Sequence, residues 1–189
     1  MRKKHIITIG GKPGSGKSTT SKRIAVALGY DRFSSGDLFR TIAKERGADI
    51  YQGNILAEED HSIDEAVDTK LREIGEQEDR VVIDSRMAWY WMPYSFKVYL
   101  DLDLKIAAQR ILSGMDAERI EVEHVPDTPE AYAKQLQLRL DSESKRYLSL
   151  YDQNPYDTSN YDLIVDTAIH DLGAVQSIIL EKYRTWLLE

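Results

Sequence analysis

Cysteine is absent from the 189-residue chain, which excludes a disulfide framework and any thiolate-ligated metal. A reducing compartment is compatible with that absence, and a cytoplasmic location is expected. Histidine is scarce: His5, His61, His124 and His170 are too dispersed to form a metal-binding motif. Long apolar runs are missing as well, and nothing approaches the ~18 residues of a membrane span, so no membrane partner is expected. The start "MRKKHIITIGG" has the basic opening of a signal peptide, but its apolar run is too short, and no cleavage is expected. Positive charge is in deficit, with Lys+Arg 25 against Asp+Glu 32 and a formal charge of −7. That balance disfavours a nucleic acid polymer as partner, so any basic site must be local. No internal repeat or low-complexity tract occurs, and the length predicts one domain over residues 1–189, expected as a monomer.

Glycine, by contrast, is concentrated where it carries chemistry. "GGKPGSGKST" spans Gly10 to Thr19, and Gly11 to Ser18 within it matches G-x-x-x-x-G-K-[ST]. In such a loop the backbone N–H groups of Gly11, Lys12, Pro13, Gly14, Ser15, Gly16, Lys17, Ser18 and Thr19, proline excepted, wrap the phosphates of a nucleotide. Lys17 would reach the outer phosphates, the Ser18 hydroxyl would ligate Mg²⁺, and the following helix would aim its positive end at the anion. The motif requires a strand before it and a helix after it. "HIITIG" is rich in β-branched residues, and "STTSKRIAVALG" places Ile24, Ala27 and Leu28 on one stripe that stops at Gly29. A chance glycine-rich turn would not carry both flanks.

Further strands are predicted at Tyr30–Ser34, Arg80–Ser85, Phe96–Asp101 and Tyr161–Asp166, separated by helical patterns. That alternation predicts an α/β fold with a five-stranded parallel sheet covered on both faces, a three-layer P-loop architecture. "SIDE" (Ser62 to Glu65) reads as a capping box, opening a helix with Ala66, Val67, Leu71 and Ile74 inward. "TPE" (Thr128 to Glu130) supplies an N-cap, a proline at N1 and an early acid. The last helix carries Leu172, Val175, Ile179, Tyr183 and Trp186 on one face. Two acidic, turn-like stretches, 47–61 and 113–127, read as inserts beside the ligand.

A regulatory GTPase would show D-x-x-G and N-K-x-D elements, and neither is present. A small-molecule kinase remains, and it needs a second set of cations for its acceptor, for which arginine's planar fork is suited. Arg40 in "SSGDLFR" lies one turn into a helix after the second strand, and "VVIDSR" places Asp84 and Arg86 at the end of another, the acid able to hold a water on Mg²⁺. In "RLDSESKRY", Arg139, Glu143 and Arg146 fall on one helical face. Each feature alone has a plainer reading: a solvated salt-bridge face, a turn cap for Asp84, and for Asp37 a favoured charge in a helix's first turn. The aromatic run Trp89 to Tyr94 and Tyr147, Tyr151, Tyr156 and Tyr161 read as packing. The joint placement of the arginines at strand ends beside a phosphate loop favours a kinase over a slow regulatory ATPase, which has no use for an acceptor clamp.

In their order and intervals, "GGKPGSGKST", "SSGDLFR", "VVIDSR", "SESKRY" and "YDLIVDT" resemble the cytidylate kinase family, in its compact archaeal-type branch, from about His5 to the last helix. The resemblance implies a nucleoside monophosphate kinase fold with a monophosphate-binding region at about 36–78 and a lid at 113–127. It also implies transfer from ATP, with Mg²⁺, to CMP or dCMP, a step of pyrimidine nucleotide metabolism. Carried over by position, Ser35 and Arg40 contact the monophosphate, and Arg86, Arg139 and Arg146 surround the phosphates. Glu143 stands where family members carry an acid for the ribose hydroxyls. Arg110 looks like the arginine that links the lid to the nucleotides, and Arg119 like a lid arginine. Lys17, Arg110, Arg139 and Arg146 are the expected catalytic set, with Ser18 and Asp84 on the metal. Met87 follows Arg86 where some bacterial members have an aspartate that reads the cytosine amino group, and Ser85 and Ala88 stand where branch relatives often have glycine. The resemblance therefore implies the reaction and leaves the base, CMP against UMP or AMP, open.

Overall fold

The computed structural model describes residues 4–45, 62–115, 126 and 128–189. In chain order the elements are β1 (Ile6–Gly11), α1 (Lys17–Leu28), β2 (Asp31–Ser34), α2 (Ser35–Glu45), α3 (Ser62–Gln77), β3 (Val81–Asp84), α4 (Ala88–Trp91), β4 (Phe96–Asp101), α5 (Leu104–Gly114), α6 (Pro129–Tyr151), β5 (Leu163–Asp166) and α7 (Leu172–Leu188). A 3₁₀ turn, Thr158–Asn160, precedes β5. The five strands pair in the order β2-β3-β1-β4-β5, every pair parallel. All five strands therefore end on one edge, and the loops at that edge hold the site.

Period-2 alternation sets the two cores. Ile7 and Ile9 of β1, with Val98 and Leu100 of β4, face one side and pack on Ile24 of α1 and Val175, Ile179 and Tyr183 of α7. Ile6, Val81 and Ile83 face the other and meet Val67, Leu71 and Ile74 of α3. The three isoleucines of β1 are fully buried, each contributing about 1.5–3 kcal/mol. A third cluster, around Ala107, Ala108, Tyr132 and Leu136, joins α5 to α6 and so seats the helix that carries the paired arginines.

The predicted helix signals hold in part. Gly29 closes α1 in the left-handed conformation, φ 65°, its N–H reaching Ala25 and Val26 carbonyls. Thr128 caps α6 by accepting from Ala131 N at 3.3 Å, with Pro129 at the first helical position. Ala27, expected inward, is exposed, and Ala25 takes the buried place because the inner face runs Ser21, Ile24, Ala25. On α3, Ala66 is only half-buried, while Asp64 and Asp68 are buried beside Val67 and Leu71. Residues 46–61 and 116–125, which hold most of both expected inserts and Arg119, His61 and His124, lie outside the described residues. Among the described residues no helix is long and apolar enough to cross a membrane.

Gly10, just before the phosphate loop, lies against Tyr161: a Cβ there would sit 2.8 Å from Tyr161 Cε1 and 2.9 Å from Cζ. Tyr161 has little room to yield, since its hydroxyl donates to the Pro155 carbonyl at 3.0 Å and its ring meets Tyr99 edge-on at 5.0 Å. Gly10→Ala should therefore cost about 1–3 kcal/mol, read as a lowered urea midpoint at unchanged slope. Adding Tyr161→Leu should restore part of that loss.

Candidate active site

The phosphate loop joins β1 to α1 through three glycines at positive φ: Gly11 at 138°, Gly14 at 73° and Gly16 at 84°. At Gly11 a Cβ would also run into the Leu100 carbonyl, so both conformation and space demand glycine. Gly16 caps α1 with no side-chain bond, leaving the first amides of the helix free for an anion. Lys17 Nζ donates to the carbonyls of Gly11 at 2.8 Å and Lys12 at 2.7 Å, closing the loop on itself. Desolvation, followed by the Arg86 charge, pushes Lys17 down to about 7. The Lys12 side chain pairs with Asp101 at 2.7 Å, which leaves its backbone N–H as its contribution to the loop.

Ser18 Oγ and the Asp84 carboxylate offer a hydroxyl and a carboxylate, hard oxygen donors of the kind Mg²⁺ takes. A cationic group already bridges them: Arg32 Nη2 donates to Ser18 Oγ at 2.8 Å and pairs with Asp84 Oδ2. The two expected metal ligands thus converge and hold positive charge, and they fit the ion.

Beside the loop, at the ends of β2 and β3, lies a cleft of about 600 Å³ including its open mouth. Arg40, Arg86, Arg139 and Arg146 line it, with Ser35, Phe39 and Tyr147. The predicted arginines therefore come together from three elements. Their partners differ from the expectation that Arg139 and Arg146 flank Glu143. Glu143, 5% exposed, takes Arg139 Nε on Oε1 at 3.0 Å, but Arg86 Nε on Oε2 at 2.5 Å, with the Tyr156 hydroxyl donating to the same oxygen. Arg146 turns across the cleft to Asp64 of α3, Nε to Oδ2 at 2.6 Å. The reason is helical phase: i+3 from Glu143 swings Arg146 toward α3, while Arg86 enters from the β3 end. Burial works to raise Glu143, yet Arg86 and then Arg139 hold it at about 2. An acid so occupied is a brace for the arginines.

Asp37 does lie in the first turn of α2, and it also pairs with Arg40 and, at 3.3 Å, with Arg32. Arg110 is exposed and donates from Nη2 to the Thr167 carbonyl at 2.6 Å; it does not line the cleft. Met87 is buried, and the Trp89–Trp91 aromatics pack on one another and on Tyr151, with Arg72 over Trp91 at 3.8 Å. Among the cleft residues that sequence reasoning did not assign to the site are Tyr147, Asp64 and Asp68. A capping box explains acids at a helix start, and only their burial, 4% and 2% exposed, separates Asp64 and Asp68 from solvated charges. Burial pushes Asp68 up to about 6 against the opposing pull of Tyr151 and Trp91.

Comparison with known proteins places the chain in a family. Over residues 7–126 the chain matches the family model described as an AAA domain. A cytidylate kinase of Halobacterium salinarum is 38% identical over 187 residues, covering 97% of this chain and 92% of that one. The chain belongs to the cytidylate kinase family. A second cytidylate kinase, of Methanocella arvoryzae, is 36% identical over 93% of this chain and 95% of its own. Among solved structures, shikimate kinase of Bacteroides thetaiotaomicron aligns with a TM-score of 0.61 at 13% identity, over 96% of this chain and 97% of that one. A gluconokinase of Sinorhizobium meliloti aligns at 0.57 and 17%, over 99% and 95%. These two establish a shared P-loop kinase fold and nothing finer.

The lowered Lys17 pKa carries a pH signature. Free protein near pH 7 has this amine about half-charged, and a polyphosphate favours the charged form, so binding takes up a proton above pH 7 and none well below it. Affinity for a nonhydrolysable ATP analogue should fall as pH rises from 7 to 9. Calorimetry at pH 8 in buffers of different ionisation enthalpy should report proton uptake, and Lys17→Met should abolish it.

Proposed function

We propose that the protein phosphorylates CMP or dCMP from ATP, giving ADP and CDP or dCDP. The observation that carries this reading is the second cationic wall: four arginines from α2, the β3 end and α6 converge on one cleft beside a phosphate loop. Such a wall serves an enzyme with a phosphorylated acceptor, and the names of the relatives agree with it.

The chemistry needs alignment and charge neutralisation more than covalent help, because the acceptor phosphate oxygen is already a nucleophile. The loop amides and Lys17 hold the donor's phosphates, and Ser18 and Asp84 would hold Mg²⁺, which when bound neutralises charge on those phosphates. Arg86 and Arg139, steered by Glu143, present N–H donors to the acceptor phosphate and to the group in transit. Arg146, fixed on Asp64, adds a third donor, and Ser35 with Arg40 closes the α2 side of the cleft. Arg110 keeps no assigned step: its bond to Thr167 places it on the β5 side.

Base choice follows from the acids. Asp68 is buried in the cleft, where Tyr151 and Trp91 also face it, and with Asp64 it forms an acidic surface there. That surface suits a base that offers an amino group, as cytosine does, and opposes the carbonyl at the same position of uracil. AMP also offers an amino group, and its larger ring system makes it the second reading.

A coupled assay with ATP, Mg²⁺ and CMP, dCMP, UMP, AMP or GMP should show ADP release that requires CMP or dCMP. Equal release with every acceptor and with none would make the protein an ATPase instead. Arg139→Ala should lower kcat/KM for CMP at least tenfold. In Asp68→Asn the CMP-to-UMP ratio of kcat/KM should fall about tenfold, since an amide can also donate to uracil. The unaltered protein should lose the same preference below pH 6, where Asp68 gains its proton.

A further inference from the structure

We propose that Arg32 is a tethered cation that occupies the divalent-metal position of the free protein and gives it up when the metal arrives. Four contacts hold its guanidinium there. Nη2 bridges Ser18 Oγ, at 2.8 Å, and Asp84 Oδ2; Nε donates to Ser21 Oγ at 2.7 Å; Nη1 reaches Asp37 Oδ2 at 3.3 Å. Among the described residues, Asp84 is otherwise hydrogen-bonded only by the Ser21 hydroxyl at 3.1 Å and the Ser34 hydroxyl at 3.3 Å, both neutral. Among the described residues, Arg32 is therefore the cation in direct contact with a carboxylate that is 7% exposed, with Lys17 a more distant positive neighbour.

Mg²⁺ ligation by Ser18 needs a metal–oxygen distance of about 2.1 Å. A guanidinium nitrogen 2.8 Å from the same oxygen would leave two positive groups side by side, sharing one acid. Arg32 and the metal therefore exclude each other. The arginine has somewhere to go: its outer nitrogen already touches Asp37, which is 57% exposed, so it can keep a carboxylate while releasing Ser18 and Asp84. The tethered charge spares Asp84 an unpaired burial in the metal-free protein. It also sets a threshold, since the metal's apparent affinity is reduced by the fraction of molecules in which Arg32 is home. The inference rests on Ser18 and Asp84 being the metal's ligands and is independent of which nucleotide accepts the phosphoryl group.

The test is Mn²⁺ binding to the nucleotide-free protein, followed by electron paramagnetic resonance. Arg32→Met should bind Mn²⁺ at least tenfold more tightly than the unaltered protein, because charge-assisted bonds no longer compete. Arg32→Lys, which keeps the charge but cannot span both oxygens, should fall between. Equal affinity in all three, with Asp84→Asn still weakening Mn²⁺, would overturn the tethered-cation role alone. No effect of Asp84→Asn in the Arg32→Met background would overturn the metal-site reading beneath it. Should Arg32→Met fail to fold, the unaltered protein decides: its Arg32 Nε–H resonance should shift when Mg²⁺ is added to the complex with a nonhydrolysable ATP analogue. An unmoved resonance would overturn the proposal.

Discussion

Burying a lone carboxylate costs several kcal/mol, and Glu143 sits 5% exposed at the centre of the acceptor side. Arg86, Arg139 and the Tyr156 hydroxyl meet its two oxygens, which turns that cost into a constraint. Among the described residues each guanidinium meets the acid through Nε, an arrangement that leaves its two terminal nitrogens for a ligand. A carboxylate held ionised keeps two cations close together before any phosphate is present, and the cleft's geometry follows from that.

The same field extends to the donor side. Lys17 feels Arg86 as its strongest repulsive neighbour, while Asp84 and Glu143 oppose the shift. Parallel pairing makes this proximity unavoidable: with β3 beside β1, the residues that follow Asp84 must lie next to the loop that follows Gly11. The donor and acceptor grips are thus adjacent through sheet register and need no further domain to bring them together.

Much of this was legible in the sequence, for physical reasons that can be named. Strands β1, β3, β4 and β5 were readable because each is a run rich in β-branched or aromatic residues, and the loop because its glycines sit where positive φ is required. That Arg139, Glu143 and Arg146 share a helix followed from spacing. Which acid each arginine meets did not, because Arg86–Glu143 and Arg146–Asp64 are long-range pairs decided by how α3 and α6 pack. Asp64 and Asp68 were hidden for the same reason: a helix start rich in acids looks alike whether it faces water or a cleft. Arg32 was hidden by alternation, since one strand position only acquires meaning once β2 lies against β3 and α1 beside it.

Asp152 ends α6 in the left-handed conformation, φ 53°, and lets the chain double back so that Tyr156 reaches Glu143, 13 positions away. Arg139 lies four positions from the same acid, whereas Arg86 lies 57 away. Two of the three partners thus close short loops, which form quickly and at small entropic cost. One return of the chain at the end of α6 therefore brings a local partner to the carboxylate, and Arg86 is the partner that the packing of distant segments must supply.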